Sequence, residues 1–381
     1  MKDITLIILG AGDSTRFGLA QKKQWLRSGD DPFWLVLARR LASYADFEKI
    51  IIVGSEAEIK HMKHFAPEFC YAKGGATRQE SLKNALALVD TPFVMSTDAA
   101  RLGVSSELVN RLIKSKEKAD CIVPVLKCAD SIIFNGSHVN RDELELIGTP
   151  QLSQTKLLKS ALEKGEFWSD DSAAIAAVGG KIASLQGDEN AFKLTYQKDL
   201  LKLKNLGFTP PTSRVFRGHG SDGHRCREGD FVTLCGVKIA HEQGGLAHSD
   251  GDAPLHALCD ALFGAAALGD IGEFFPDNDP KFKGADSTGL LRECVRVVKS
   301  YGFEIINADI TILCEKPKIT PHKEAMRKNV AGALALAQNF VNIKATTMEK
   351  MGFIGTGEGF GAIATASIRY FDWSKGEPKL C

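Results

Sequence analysis

The sequence predicts two domains of different class: a doubly wound α/β domain with a mostly parallel sheet, followed by an α+β domain. Three observations carry this. At 381 residues the chain is too long for one ordinary core, and length suggests roughly two or three domains. Apolar strand-like runs alternate with helical patterns through residues 4–204, the rhythm of a parallel sheet with crossover helices. Then Asn205-Leu206-Gly207-Phe208-Thr209-Pro210-Pro211-Thr212-Ser213 sets a glycine and a proline pair where no helix can continue. Domains are therefore expected at 1–204 and 214–381, with a linker at 205–213.

Residues 4–9 are a continuous apolar run rich in β-branched side chains, as in a strand buried on both faces. The run enters Gly10-Ala11-Gly12-Asp13-Ser14-Thr15-Arg16-Phe17-Gly18, a glycine-rich loop whose backbone N–H groups can approach phosphates. It lacks the third glycine of GxGxxG, but Arg16, Lys22 and Lys23 follow as cations able to clamp a triphosphate. Helices are expected at 33–44, 56–65 and 81–89, and strands at 49–53 and 93–95. Asp98 follows the last of these strands, where ligands gather in such sheets. Two readings stay open for it, a magnesium ligand and a helix N-cap. Residues 74–81 form either a second ligand-facing turn or an ordinary capped connection. A strand at 121–126, polar stretches holding Ser131, Arg141 and Thr149, and helices at 173–178 and near 199–204 complete this domain.

The second domain restarts with strand-like residues from 214. Asp222 and His224 stand two apart, so in an extended strand both side chains leave the same face. His256 follows Pro254, which suits the first turn of a helix expected at 254–268. A strand-borne Asp-x-His plus a helix-borne histidine supplies three ligands and leaves a fourth position open, the layout of a catalytic zinc. The alternative is a set of ordinary polar side chains, yet His248, Ser249, Asp250, Asp252 and Asp270 crowd the same stretch beyond what a core needs. Spacing thus favours a metal site and leaves the reaction open. A hairpin at 230–239, a helix at 288–301, strands at 307–314, 341–347 and 361–369, and a helix ending near 338 fill out a domain of about 160 residues.

Bulk properties exclude several classes. A charged fraction of 25% and a net charge of +1, with no basic block, leave no footprint for nucleic acid or an anionic membrane. No apolar run reaches the length of a membrane span. The opening residues turn polar too quickly for a signal peptide and read as a first strand. Nine cysteines without a CxxC pair fit reduced thiols, so a cytoplasmic location is expected.

The second domain closely resembles the 2-C-methyl-D-erythritol 2,4-cyclodiphosphate synthases. The matching runs are Gly218-His219-Gly220-x-Asp222-x-His224, Leu246-Ala247-His248-Ser249-Asp250-Gly251-Asp252, Leu255-His256-Ala257-Leu258, residues 264–272, residues 282–287 and Lys344-Ala345-Thr346-Thr347-x-Glu349-Lys350. The resemblance implies Zn2+ on Asp222, His224 and His256, with substrate phosphate held by His248 and Ser249. It implies sugar-alcohol contacts at Asp270 and Gly272, and Mg2+ on Glu349. Pro317, Lys318, Thr346, Thr347 and Phe353 would complete the substrate pocket across a subunit boundary of a homotrimer. Thr356 stands where many members carry an arginine.

The first domain resembles the cytidylyltransferases that make 4-diphosphocytidyl-2-C-methyl-D-erythritol from CTP, and so implies a Rossmann-like nucleotidyltransferase fold. Its loop keeps Gly12 and Arg16 but has Ser14 in place of a glycine; Lys22-Lys23-Gln24-Trp25-Leu26, Gly74-Gly75-x-x-Arg78-x-x-Ser81 and Asp98-Ala99-Ala100-Arg101 also match. The resemblance places Arg16, Lys23 and Lys193 at the α-phosphate, and Gly12, Gly75 and Ser81 at the nucleotide. It places Asp98 at Mg2+ or ribose, and Ser131, Arg141 and Thr149 at methylerythritol phosphate. The two halves together resemble fusion enzymes of isoprenoid-precursor synthesis, trimeric through the second domain and hexameric if first domains also pair. Two alternatives are a degenerate first domain serving as a scaffold, and a cytidylyltransferase for another alditol phosphate.

Overall fold

The computed structural model describes residues 2–246, 250–276 and 286–375, which divide into two compact units. The chain passes between them at Pro210 and Pro211, with two exchanges: residues 20–22 belong to the second unit and 373–375 to the first. The start of the expected linker is not loose. A 3-10 turn runs over Gln197–Leu206, and Phe208 is buried against Phe33 with the Arg40 guanidinium over its ring.

The first unit runs β1 (Ile4–Leu9), β2 (Arg27–Ser28), β3 (Asp31–Pro32), α1 (Phe33–Tyr44), β4 (Lys49–Gly54), α2 (Glu56–Phe65), β5 (Cys70–Lys73), α3 (Arg78–Leu86), β6 (Phe93–Asp98), α4 (Ser106–Lys114), β7 (Cys121–Lys127), β8 (Ile132–Phe134), β9 (Ser137–Val139), β10 (Glu145–Ile147), β11 (Gln151–Gln154), α5 (Thr155–Glu163), α6 (Asp171–Ala177) and β12 (Ile182–Gln186). Strands β5, β4, β1 and β6 lie side by side in parallel, so their carboxyl ends share one edge. Antiparallel β11 then joins β6 to β7, and β12 pairs with β7 in parallel. Every residue of β1 is buried, as a central strand covered on both faces must be. Ser55 and Glu58 form a reciprocal capping box that starts α2 directly after β4. The C-terminal Trp373 is buried here: its indole N–H donates to the Arg27 carbonyl at 2.6 Å and its ring meets Phe33 edge-on.

The second unit contains β13 (Val215–Glu228), β14 (Phe231–Leu234), β15 (Val237–Ala240), β16 (Gln243–Leu246), α7 (Ala253–Ala265), α8 (Ile271–Phe274), α9 (Ser287–Ser300), β17 (Phe303–Leu313), α10 (Lys323–Leu334), β18 (Val341–Thr346), α11 (Gly352–Gly355) and β19 (Gly359–Tyr370). Its sheet has the order β16-β13-β19-β17-β18, antiparallel except for β17 and β18. Helix α7 lies against β13 at very short range. A Cβ built on Gly218 would stand 1.8 Å from the Ala261 carbonyl oxygen, and one on Gly220 2.1 Å from that of Ala257. Only glycine allows this approach. Residues 20–22 join this unit through Gln21, whose amide donates to the Phe303 carbonyl at 3.1 Å.

Candidate active sites

In the first unit, the loops after β1, β5 and β6 enclose a cavity of about 410 Å³. Its walls are the 10–16 loop, Lys23, Gln24, residues 75–78, Ser81, Asp98 and Lys193. The loops approach closely because residue 74 is glycine: a Cβ there would fall 2.3 Å from that of Ala11. Gly12 has open space beyond it, as a phosphate cradle requires. Ser14, the departure from the glycine pattern, adopts the left-handed region at φ 58°. Its hydroxyl accepts from the Lys23 backbone N–H at 3.2 Å and donates to the Gln24 side-chain oxygen at 3.3 Å. These bonds offset a backbone cost of about 1–2 kcal/mol. Gln24 in turn donates to the Gly12 carbonyl and to buried Glu58, tying the loop to α2.

The charges are balanced in a chain. The Lys193 ammonium is 2.7 Å from one Asp98 oxygen, and Arg78 Nε donates to the other at 3.3 Å. Arg78 Nη1 also pairs with fully buried Asp171 at 3.1 Å. Burial would raise the Asp98 carboxyl, but Lys193 and Arg78 outweigh it and hold the group below the usual carboxylate range. Burial, then the neighbouring Lys193 charge, push the Lys23 ammonium down. Lys23 meanwhile donates to the Leu194 carbonyl at 3.1 Å, which aims it at the cavity it lines.

Of the residues expected here, Gly12, Arg16, Lys23, Gly75, Ser81, Asp98 and Lys193 meet at this cavity. Ser81 Oγ accepts from the Gly75 N–H at 3.0 Å and so shapes the second turn. Thr149 is buried with its hydroxyl 3.2 Å from that of Thr97, one residue before Asp98. Ser131 and Arg141 are exposed, outside the cavity wall, beside the β8–β10 excursion; the Arg141 guanidinium donates to the Ala129 carbonyl.

In the second unit, the even-numbered face of β13 presents Gly218, Gly220, Asp222 and His224 toward α7. Asp222 Oδ2 lies 3.2 Å from His224 Nε2 and 3.1 Å from His256 Nδ1. One ligand atom from each of the three residues falls within 4.8 Å of the others. Burial would raise the Asp222 carboxyl, but the His256 hydrogen bond and the His224 charge hold it low. Burial would lower the His256 imidazolium, and Asp222 reverses that. Two imidazoles and one carboxylate, half-buried and convergent, make a donor set that fits a divalent metal ion.

Asp270 caps α8, and Asp260, one helical turn beyond His256, accepts from the Ile271 N–H at 2.8 Å. Asp270 and the start of α8, which bears Gly272, are thereby tied to the triad's helix. His248 and Ser249 lie outside the described residues. Thr346 ends β18 and Thr347 and Glu349 follow it, with Thr347 donating to Glu349 at 3.0 Å; Pro317 and Lys318 follow β17. Phe353 is exposed, and Thr356 bonds Glu358 inside its own turn at 2.8 Å. Across the sheet, Gly223, Gly361, Leu313 and Thr346 form one row. Three strand spacings of about 4.8 Å therefore put Thr346 about 14 Å from the triad strand of the same chain.

The pattern of the 2-C-methyl-D-erythritol 4-phosphate cytidylyltransferases matches residues 4–205, and that of the YgbB family matches 215–369. Enzymes named bifunctional IspD/IspF from Campylobacter fetus and Campylobacter curvus are 52% and 51% identical, over 98% of this chain and 99% and 100% of theirs. The chain belongs to the bifunctional IspD/IspF family. A solved structure of bifunctional IspDF from Campylobacter jejuni superposes with a TM-score of 0.89 at 46% identity, covering 98% of this chain and all of that one. The first unit of this IspD/IspF chain is the cytidylyltransferase half, and the second is the cyclodiphosphate synthase half.

Three residues of the sites escape a reading by spacing. Arg78 and Asp171 are 93 positions apart, and only the fold shows that they brace Asp98. Asp260 shares a helix face with His256, a signal visible in the sequence, but its partner at Ile271 is not.

Proposed function

We propose that the cavity of the first unit binds CTP and 2-C-methyl-D-erythritol 4-phosphate and releases pyrophosphate. The second site would close 4-diphosphocytidyl-2-C-methyl-D-erythritol 2-phosphate to the 2,4-cyclodiphosphate with loss of CMP. In the first reaction the substrate phosphate attacks the α-phosphorus of CTP in line. Backbone N–H groups around Gly12 hold the triphosphate, while Arg16, Lys23 and Lys193 face the charge that grows on the α-phosphate. Lys193 is held at Asp98 until phosphate arrives. Its transfer to the nucleotide would leave that carboxylate for Mg2+ or ribose. Gly75 and Ser81 fit the nucleoside side, and Thr149 the acceptor side.

In the second reaction the chain supplies orientation and no nucleophile: the 2-phosphate of the substrate attacks its own β-phosphorus. Asp222, His224 and His256 would hold Zn2+, and Glu349 would hold Mg2+. When bound, these ions supply Lewis-acid charge to phosphate oxygens. Asp270 and Gly272 would receive the alditol, His248 and Ser249 a phosphate. Pro317, Lys318, Thr346, Thr347 and Phe353 would take the cytidine side.

The same geometry supports an assembly. The 14 Å between the two residue groups of one second unit favours a pocket shared between copies, in keeping with the homotrimer that the resemblance implies. An open sheet face bearing Ile363, Thr365 and Arg369 supports it. In the first unit the β8–β10 excursion exposes Ile133 (64%), Phe134 (68%), Leu146 and Ile147, apolar surface that fits pairing into dimers and so a hexamer. Arg141, on that excursion, would then serve the paired copy's cavity. The eight described cysteines are free, which supports a reducing, cytoplasmic location, and no described helix is long and apolar enough to cross a membrane.

The observation that carries this function is the coexistence in one chain of a cation-walled nucleotide cavity and a complete three-ligand metal set. Incubation with CTP and methylerythritol phosphate should release pyrophosphate, and the phosphorylated cytidine diphosphate ester should separately yield CMP. Pyrophosphate release only with a different alditol phosphate would overturn the assignment of the first substrate. No release with any would leave the first unit as a scaffold.

A further inference from the structure

The two ring nitrogens of His256 have different neighbours. Nδ1 faces Asp222 within the triad, whereas Nε2 lies 2.9 Å from the hydroxyl of Ser287, the first residue of α9. Ser287 is fully buried, at 0% exposure. Its hydroxyl donates to Asp250 Oδ1 at 2.5 Å, and its backbone N–H donates to Asp250 Oδ2 at 3.3 Å. A serine hydroxyl carries one proton, and an ionised carboxylate can only accept. With that proton committed to Asp250, the serine oxygen must accept from His256. Nε2 therefore carries a proton, which leaves Nδ1, the nitrogen facing the triad, as the one that can give its lone pair to a metal. The tautomer is fixed from outside the ligand set.

We propose that Asp250 and Ser287 are positioning residues that select the metal-ligating nitrogen of His256 and hold its ring in place. The inference rests on the reading that the triad binds zinc. It assigns Asp250 and Ser287 a task separate from that of His248 and Ser249. The Asp250 carboxylate bridges the start of α7 to the start of α9, accepting also from the Asp252 N–H at 3.4 Å. The ligand on α7 is thus referenced to a second helix as well as to the strand beneath it.

The test uses the full chain. Zinc affinity is measured by competition with a chromophoric chelator for wild type, Ser287→Ala and Asp250→Asn, and amide hydrogen exchange of α7, α9 and β13 checks that the second unit of each variant is folded. Ser287→Ala should weaken zinc about 10–100-fold. Asp250→Asn keeps an acceptor oxygen and should lose less, while cytidylyl transfer stays at the wild-type rate. Independently, nitrogen-15 NMR of the zinc-loaded wild type should show His256 bound through Nδ1 and protonated at Nε2. A Ser287→Ala chain with zinc affinity within twofold of wild type, or a His256 bound to zinc through Nε2, would overturn the proposal. Zinc uptake unchanged by His256→Ala would instead overturn the zinc reading itself.

Discussion

The two sites solve the same electrostatic problem, holding phosphates, in opposite ways. The first unit surrounds a cavity with Arg16, Lys23, Arg78 and Lys193, and buried Asp98 and Asp171 keep part of that charge balanced. The second unit presents carboxylate and imidazole, ligands that become useful to a phosphate only through a cation. Glycine serves two purposes at the first cavity, where Gly12 leaves room and Gly74 lets two loops meet, and one beneath the second site, where Gly218 and Gly220 let strand and helix meet. The coordination site is thereby locked at one strand–helix spacing.

The sharpest test of this contrast is the loss of one ligand. His256→Ala should abolish CMP release and divalent-metal binding at the triad while pyrophosphate release continues, as read by product chromatography and metal analysis. A metal-replete variant with normal turnover would break the comparison. Next comes Lys23→Ala, which should cost about 10²–10³-fold in the rate of pyrophosphate release and leave cyclisation untouched. Retained transfer would mean that Arg16 and Lys193 suffice.

The glycines sharpen the comparison further. Gly220→Ala drives a methyl into the backbone of α7, so the second unit should lose about 1–3 kcal/mol and part of the affinity of its triad for a divalent metal. Gly12→Ala meets no atom within 4 Å and should shift thermal stability by less than about 0.5 kcal/mol. Equal losses in calorimetry would erase the distinction.

The smallest expected effect is on pH dependence. Asp98 has a folded pKa held below its unfolded value near 3.9, so its stabilising ion pairs are complete above that value. They are lost as pH falls through the lower folded pKa. Melting curves of wild type and Asp98→Asn should therefore differ fully at neutral pH and converge in acid. A gap that widens below pH 4 would show that burial dominates over Lys193 and Arg78.

Much of the second site was legible because its signals are local. The two-residue step from Asp222 to His224 fixes a shared strand face, and Pro254 marks the helix that carries His256. The glycine-rich loop and Asp98 were legible for a similar reason, since each directly follows an apolar strand. Residues whose partners lie far along the chain were not legible: Arg78 with Asp171 and Ser287 with Asp250. The polar stretch after β7 also concealed the short strands β8–β10, which have too few residues to show a period. Helix α3 begins at Arg78, three residues before the expected start, because Thr77 caps it by accepting from the Glu80 N–H. Helix α10 stops at Leu334, short of the expected end near 338, where Ala335 turns left-handed.

The burial of Trp373 in the first unit has a consequence for how this gene can be divided. Its two catalytic functions invite separation at Pro210 and Pro211 into independent reading frames. Such a cut would strand the indole, and its bond to the Arg27 carbonyl, on the wrong polypeptide. The transferase fragment would keep a vacancy beside Phe33, of a kind that costs about 3–5 kcal/mol when a large aromatic is deleted. The cyclase fragment would lose Gln21 from the Phe303 carbonyl. Fusion here has gone past joining two cassettes end to end, because each half has come to depend on a short stretch of sequence encoded within the other.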